Sequence, residues 1–214
     1  MVGQFVVHGA QGSGSVPVEA TLTLLGLPYE VEEAAPWQSK AKAAKVGRVN
    51  PMRQVPALIL FSGEMMTESA AILIWLADGH PKGALSPALG DPRRPQFLRW
   101  MTFVPAAIYS MFWVRDDPSR LAANKAHETV IKARTAERIA QCWGIMEAQI
   151  SPGDYLLGDA MTVLDLYVTV VSRWSPGRRR FREVAPRMHE VVGRVDSDPR
   201  LAKFWSRRFP LPKG

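Results

Sequence analysis

The chain has 214 residues, of which 47% are apolar and 22% are charged, and it carries a net charge of +7. This length and composition indicate a globular protein of one or two domains, and no apolar run reaches the roughly 18 residues of a membrane span, so we expect no membrane partner. The basic residues are scattered and accompany no nucleic-acid motif, so we expect no nucleic-acid partner either.

The first 80 or so residues alternate between short β-rich stretches and stretches with helical spacing of apolar residues. The predicted order is strand 4–8, helix 16–25, strand 28–32, helix 40–46, strand 56–61, strand 65–66 and helix 68–78. The N-terminus shows no signal-peptide pattern. This order predicts one mixed sheet with helices around it, an α/β domain of residues 1–80.

The second half of the chain is predicted to be helical. Residues 81–95 are rich in proline and glycine and lack periodicity, so we interpret them as a linker. Helical patterns follow at 96–113, 119–149, 163–174 and 184–195. We therefore predict an all-α C-terminal domain, a helical bundle of residues 96–214.

Two features of this half bear on the class of protein. The single cysteine, Cys142, excludes an intramolecular disulfide and a zinc site built from cysteines, and we predict no metal site. Cys142 lies among apolar residues at helical spacing, which indicates a buried thiol, and a lone thiol fits the reducing cytoplasm. We interpret the dense basic run, Arg178–Arg180 with Arg182, as a solvated helix end or a rim that attracts anions.

Two stretches near the end of the first domain combine features suited to a peptide ligand. Pro56 enters a strand, where proline cannot donate a ladder hydrogen bond, which predicts a special turn with a cis peptide after Val55. The residue before such a turn can offer its backbone N–H and C=O to a peptide. Glu68 and Ser69 follow the fourth strand at a helix start, which favours an anion, while Glu68 can pair with an ammonium group. The alternative, that the hydroxyl side chains there only cap the helix, is equally open on residue chemistry alone.

These stretches resemble the glutathione-site signature of cytosolic glutathione transferases, in particular bacterial, serine-type members. The resemblance implies a thioredoxin-like N-terminal domain with glutathione as co-substrate. It implies that the backbone of Val55, before a cis Pro56, pairs with the cysteinyl part of glutathione. It further implies that Glu68 and Ser69 hold the γ-glutamyl end and that Gln54 reaches the glutathione backbone.

A second match lies in the helical half. Thr162 and Asp165 form a Thr-x-x-Asp pattern before an apolar run, which predicts a capping box at a helix start. The family carries a similar box at the central helix of its second domain, where its role is in folding. The order and spacing of the matches extend the resemblance over most of the chain.

The catalytic position is less determined. A thiolate is needed, because the neutral thiol is a poor nucleophile. In the family its hydrogen-bond donor is a Tyr, Ser or Cys in the loop after strand one, and residues 9–15 here contain neither Tyr nor Cys. The resemblance therefore leaves Ser13 and Ser15 as catalytic candidates without choosing between them, and the alternative is that Ser15 caps the helix while Ser13 fills a turn. Lack of a loop cysteine argues against mixed-disulfide chemistry, and lack of a nucleophile elbow beside His8 argues against a hydrolase.

The resemblance also implies a site for a second substrate between the two domains. Five aromatic residues lie on the first long helix of the second domain: Trp100, Phe103, Tyr109, Phe112 and Trp113. Aromatic residues at helical spacing are more often core than pocket, so we select Tyr109 and Trp113 as substrate-binding. Arg53 stands where the family often has a small residue, and it either binds glutathione or the second substrate or is a surface arginine.

The sequence thus predicts a glutathione S-transferase that activates the thiol of glutathione for attack on an apolar electrophile in detoxification. Family resemblance implies a homodimer. The alternative is a catalytically silent module that binds glutathione or a protein partner. Glutathione binding without thiol ionisation would distinguish the alternative from the enzyme.

Overall fold

The computed structural model describes residues 3–210. Within this range four strands form one sheet: β1 (Phe5–Gly9), β2 (Tyr29–Glu33), β3 (Ala57–Ile59) and β4 (Met65–Met66), in the order β2-β1-β3-β4. β1 pairs in parallel with β2 and antiparallel with β3, and β3 pairs antiparallel with β4. The mixed sheet predicted from the alternating pattern is therefore present, with strand ends shifted by at most two residues.

Three helices accompany the sheet: α1 (Val16–Leu24), α2 (Lys40–Gly47) and α3 (Ser69–Gly79). Pro17 lies in the first turn of α1, where its fixed φ suits a helix and its missing N–H costs nothing. α2 begins at a capped end, because the Ser39 hydroxyl accepts a hydrogen bond from the Lys42 N–H at 3.2 Å. α3 is strongly apolar and packs against α1, which buries residues such as Leu22 and Leu76 completely.

The remaining helices follow in chain order. They are α4 (Arg94–Phe103), a π-helical segment (Val104–Tyr109), α5 (Ser110–Asp116), α6 (Lys125–Gln149), α7 (Val163–Val171), α8 (Gly177–Val184), α9 (Pro186–Asp196) and α10 (Ala202–Arg208). The wide turn between α4 and α5 contains Pro105, which has no N–H to donate to an earlier carbonyl.

Two predicted helical boundaries were wrong by several residues, and two helices were not predicted. The helix expected from residue 119 begins at Lys125, because the Asn124 side chain caps it by accepting from the His127 N–H at 3.0 Å. The helix expected to reach residue 174 ends at Val171. α8 and α10 escaped prediction because each buries too few residues for a periodic pattern: only Phe181 is buried in α8, and Phe204 and Trp205 are the buried pair of α10.

The predicted capping box is confirmed at the start of α7. The fully buried Asp165 carboxylate accepts hydrogen bonds from the Leu156 N–H at 2.8 Å, the Thr162 N–H at 2.7 Å and the Thr162 hydroxyl at 2.8 Å. Burial raises the pKa of Asp165 to about 6, although these hydrogen bonds favour the charged form. Cys142 is buried as predicted, and burial raises the pKa of its thiol.

By backbone contacts the chain forms two compact units, the described residues of Met1–Ala88 with Arg194–Gly214, and Leu89–Gly193. The first unit contains the sheet, α1 to α3 and α10. The architecture confirms the predicted fold class, a thioredoxin-like α/β sheet followed by a helical part. The domain limits at residues 80 and 96 stay a prediction.

Among the described residues one helical stretch, Arg94–Asp116, passes a test for membrane spans based on length and composition. Its 18-residue window has a mean hydropathy of 1.2 and is 39% buried. A single stretch of this kind is weak grounds for a span, because core helices of soluble proteins pass the same test.

Candidate functional site

Strand pairing brings three of the predicted segments to one end of the sheet. β1 runs towards the loop of residues 10–15, and antiparallel pairing puts its His8 opposite Ala57, at the start of β3. β4 runs antiparallel to β3, so it ends on the same side, just before Glu68. The loop serines, Val55–Pro56 and Glu68–Ser69 therefore follow or precede strands at the same end of the sheet.

The turn before β3 presents a free stretch of backbone. The Val55–Pro56 peptide is cis, as predicted. The Val55 side chain is buried with Ala34 and Val46, and in the described part of the chain no residue is bonded to its N–H or C=O. Both backbone groups are thus open to an extended peptide beside β3.

Asn50, which sequence reasoning missed, organises this turn. Its side chain donates to the Gln54 carbonyl at 2.9 Å and accepts from the Met52 N–H at 3.0 Å. Its own carbonyl accepts from the Arg53 N–H at 2.8 Å. Arg53 adopts a positive φ of 55°, and Arg53 and Gln54 are both exposed beside the open backbone of Val55.

The helix start after β4 is equally distinctive. Ser69, the first residue of α3, is buried, whereas Glu68 before it is exposed with a positive φ of 66°. A non-glycine residue rarely adopts this conformation, and such strain concentrates at ligand sites. The helix N-terminus favours an anion there, and the adjacent Glu68 carboxylate suits a cation.

The two loop serines are buried and joined to each other. Their hydroxyl oxygens lie 3.0 Å apart, Ser13 is 7% exposed and Ser15 is 0% exposed. The Ser13 oxygen accepts from the Ser15 N–H at 3.2 Å and from the Ala10 N–H at 3.3 Å. The Ser15 oxygen accepts from the same Ala10 N–H at 3.1 Å. Ser15 is the N-cap residue of α1 but makes no side-chain capping bond.

The direction of these bonds follows from proton count. The Ser15 oxygen lies 2.6 Å from the Glu19 carboxylate and 3.3 Å from the Ala10 carbonyl. Because a hydroxyl has one proton and the bond to the carboxylate is shorter and charge-assisted, Ser15 donates to Glu19. Ser15 can then only accept from Ser13. The Ser13 proton is therefore the one that can turn either to Ser15 or to a ligand.

Glu19 is a fully buried carboxylate paired with an arginine from the far end of the chain. The Arg208 guanidinium donates to both of its oxygens, at 2.5 and 3.1 Å, and also to Glu33. Burial alone would lower the pKa of Arg208, and the hydrogen bonds and charges of Glu19 and Glu33 together raise it. Sequence reasoning missed this pair; its one signal was a lone carboxylate in the apolar first turn of α1.

Gly9 makes the approach of Ser15 to β1 feasible. A Cβ on Gly9 would lie 2.3 Å from the Ser15 oxygen and 3.2 Å from a Glu19 oxygen. No side chain fits there, so the end of β1 must be glycine for Ser15 to reach Ala10 and Glu19.

His8 takes part in a different interaction. Its Nδ1 lies 3.3 Å from the Glu32 carboxylate, and burial lowers its pKa although the Glu32 charge opposes this. Glu32 in turn pairs with Lys45 at 2.5 Å. His8 thus faces Glu32 and not a serine, which agrees with the sequence-based argument against a hydrolase.

The two predicted substrate-binding residues lie in the helical unit. Tyr109 is half-buried, and its ring packs 4.6 Å from that of Trp174, which also contacts Phe112. Trp113 is 44% exposed, and the Arg120 guanidinium lies over its ring at 4.6 Å. Trp113 thus offers open apolar surface, and Tyr109 belongs to an aromatic cluster.

Within residues 3–210, no three or more His, Cys, Asp or Glu residues are grouped so that they could hold a metal ion.

Comparison with known proteins gives consistent results. Residues 15–78 match the family model described as glutathione S-transferase, N-terminal domain. The uncharacterized GST-like protein YncG of Escherichia coli K12 is 28% identical over 202 residues, 94% of this chain and 97% of that protein. Glutathione S-transferase GST-4.5 of Xanthomonas campestris pv. campestris is 28% identical over 159 residues, 70% of this chain and 72% of that protein.

Among solved structures, a glutathione transferase homolog from Sulfitobacter with bound glutathione superposes with a TM-score of 0.85 at 24% identity. The match covers 96% of this chain and 98% of that one. The fold is therefore that of glutathione transferases, a thioredoxin-like sheet domain followed by helices. Residues 15–78 in addition match the model of the glutathione S-transferase N-terminal domain, and the relative YncG is similar over nearly the whole chain.

Proposed function

We propose that this protein binds glutathione at the loop end of its sheet and transfers the glutathione sulfur to an apolar electrophile. The observation that carries the proposal is that three features lie at the same end of the sheet. They are the open backbone of Val55, the carboxylate of Glu68, whose backbone has a positive φ, and the paired loop serines. Glutathione has a complementary group for each of them.

The peptide part of glutathione would lie along the turn before β3. Val55, preceding the cis Pro56, offers an N–H and a C=O to the cysteinyl backbone. Exposed Gln54 and Arg53 stand beside it, where Gln54 can bond the glutathione backbone and Arg53 can meet the glycine carboxylate. A strand-like pairing of this kind gives affinity through main-chain hydrogen bonds.

The γ-glutamyl end would lie at the start of α3. Its α-carboxylate suits Ser69 and the N-terminus of an eleven-residue helix, and its ammonium group suits Glu68. One position thus takes both charges of an amino acid, which a single helix cap would not do.

The chemistry would require the thiol to ionise. We propose that the Ser13 hydroxyl donates a hydrogen bond to the thiolate, because Ser13 is the less buried serine and its O–H is free to turn. Ser15 would support it as a buried acceptor. The thiol proton passes to solvent water as the thiolate forms. The thiolate then makes a carbon–sulfur bond: in a substitution the leaving group departs with the electron pair of the broken bond, and in an addition the electron pair displaced onto the electrophile takes up a proton from water.

The helical unit would supply apolar surface for the electrophile through Tyr109 and the exposed part of the Trp113 side chain. As for other family properties, we propose a homodimer located in the cytoplasm with a role in detoxification. Light scattering of the purified protein would test the dimer.

The experiment is an ultraviolet difference titration of thiolate formation on adding glutathione, across pH, for the native protein, Ser13→Ala and Ser15→Ala. We expect the native protein to ionise the thiol below its pKa in water. Ser13→Ala should raise the pKa of the bound thiol by about one to two units, since a hydrogen bond to a charged group contributes about 1.5–3 kcal/mol. Unchanged ionisation in both variants would remove the serines from the mechanism.

The second candidate function is a silent module that binds glutathione or a protein partner. It is favoured by the serine arrangement itself, because Ser15 is fully buried and its proton is taken by Glu19. Glutathione that binds and stays protonated in the same titration would select this function.

A further inference from the structure

The loop that carries the serines is fastened to the C-terminal helix α10 by three separate contacts. The Gly12 N–H donates to the Arg208 carbonyl at 2.9 Å, and the Gln11 side chain donates to the Arg207 carbonyl at 3.0 Å. The Arg208 guanidinium reaches the same region through Glu19. The backbone carbonyl of Arg208 therefore binds the loop, and its guanidinium binds the start of α1 through Glu19.

The backbone conformation of the loop allows this close contact with α10. Gly12 has a positive φ of 68°, and a Cβ there would already touch the Phe209 ring at 3.4 Å. The loop thus folds back against the end of α10 at a position that favours glycine. Nearly two hundred residues of chain separate the contact partners, so only the tertiary fold produces this arrangement.

A continuous set of bonds runs from the arginine to the candidate catalytic group. Arg208 donates to Glu19, Glu19 takes the Ser15 proton at 2.6 Å, and Ser15 accepts from Ser13 at 3.0 Å. The Ser15 N–H also donates to the Ser13 oxygen at 3.2 Å, so the position of Ser15 fixes the position of Ser13. Without the carboxylate, the Ser15 proton would be free to turn to Ser13 or to the Ala10 carbonyl.

We propose that Glu19 and Arg208 are positioning residues for thiol activation, and that α10 holds the serine loop in the geometry that ionises glutathione. The inference rests on the proposed function. Neither residue touches the substrate in this scheme. Both act by fixing Ser15 as a hydrogen-bond acceptor for Ser13. The Ser13 hydroxyl then has one proton, which can turn from Ser15 to the sulfur of glutathione.

Arg208→Met is the direct test, but it leaves Glu19 buried and unpaired and can prevent folding. The paired variant Glu19→Gln with Arg208→Met removes both buried charges, and the carboxylate that still loses its arginine, Glu33, is solvent-exposed. Arg208→Lys keeps the charge. Arg207→Met is the matched control, because the Arg207 side chain is exposed and, among residues 3–210, its hydrogen bond is to the Lys203 carbonyl of its own helix.

Two measurements are made on each folded variant: the pKa of bound glutathione with its dissociation constant, and the exchange rate of the Gly12 amide hydrogen without ligand. In the paired variant we expect the thiol pKa to rise by about one unit, a tenfold loss of thiolate, with glutathione affinity changed less than threefold. Gly12 should exchange at least tenfold faster. Arg208→Lys should lie between the native protein and the paired variant, and Arg207→Met should match the native protein.

The outcomes separate this inference from the proposed function. If Ser13→Ala raises the thiol pKa and the paired variant leaves it unchanged, the positioning role is overturned while the transferase stands. A raised thiol pKa accompanied by an equal loss of glutathione affinity would also overturn it, since that indicates a disordered site. If the native protein leaves the thiol protonated, the proposed function fails. The attachment of the serine loop to α10 is then tested by Gly12 exchange alone. Faster exchange in the paired variant supports it, and unchanged exchange overturns it.

Discussion

Two carboxylates, Glu19 and Asp165, are fully buried in the first turn of an apolar helix, yet the chain treats them differently. Glu19 accepts a hydrogen bond from a hydroxyl and is paired with a cation from a distant helix. Asp165 is surrounded by N–H and hydroxyl donors of its own neighbourhood. A buried charge can thus be satisfied locally, by the capping box, or by a long-range pair that ties separate segments together.

The difference explains which of the two belongs to a site. A capping box fixes a helix start and needs only a four-residue pattern. The Glu19–Arg208 pair orders a loop and a helix that meet only in the folded chain. Each of the following changes tests whether the two carboxylates are held as described, in decreasing order of effect.

The largest effect is expected for Arg208→Ala. Removing this cation leaves Glu19 buried and unpaired, which costs about 3–5 kcal/mol in the free energy of unfolding. Urea denaturation followed by circular dichroism measures it. The adjacent Arg207→Ala should change stability by less than about 0.5 kcal/mol, and equal losses in the two variants would contradict the pairing.

The next largest effect is expected for Asp165→Ala. The Leu156 N–H, the Thr162 N–H and the Thr162 hydroxyl lose their acceptor, and together with the lost cap we expect a cost of about 3–4 kcal/mol. The same denaturation assay reports it. Asp159→Ala, on an exposed carboxylate nearby, is the control, and a cost for Asp165→Ala as small as that of the control would disprove the box's role.

The pH dependence of stability distinguishes the two sites. The pKa of Asp165 is raised to about 6 from an ordinary 3.8, so between these values the native state binds more protons than the unfolded state. Stability contributed by this group is therefore greatest at low pH and falls by about 3 kcal/mol as pH rises from about 4 to above 6.

The measurement for this prediction is the difference in unfolding free energy between the native protein and Asp165→Asn across that pH range. Subtraction removes the other carboxylates, such as Asp198, whose pKa Arg200 lowers and whose contribution runs in the opposite direction. A difference that grows as pH rises would show that the hydrogen bonds outweigh burial.

The smallest effect is expected for Gly9→Ala. The new methyl group would overlap the Ser15 hydroxyl, so Ser15 must shift, at a cost of about 1–3 kcal/mol. Thermal denaturation measures it. Gly3→Ala is the matched control, since nothing lies within 4 Å of a Cβ there, and a neutral Gly9→Ala would mean that the serine pair is less tightly packed than described.

Local features of the molecule were predictable because they depend on neighbouring residues. The cis peptide before Pro56, the helix start at Ser69 and the box of Thr162 with Asp165 each follow from short patterns with a physical cause. The helices that escaped prediction, α8 and α10, are short and bury too little for periodicity to appear.

The sequence by itself determined the order of strands and helices in the first 80 residues, because backbone preference and hydrophobic spacing act over a few residues. Its resemblance to glutathione transferases indicated both loop serines. Only the tertiary structure decided what those serines do. Whether Ser15 faces solvent, caps α1 or donates a hydrogen bond to Glu19 depends on Arg208, which lies far along the chain. A buried charge selects its partner by distance in space, and separation along the sequence carries no sign of that choice.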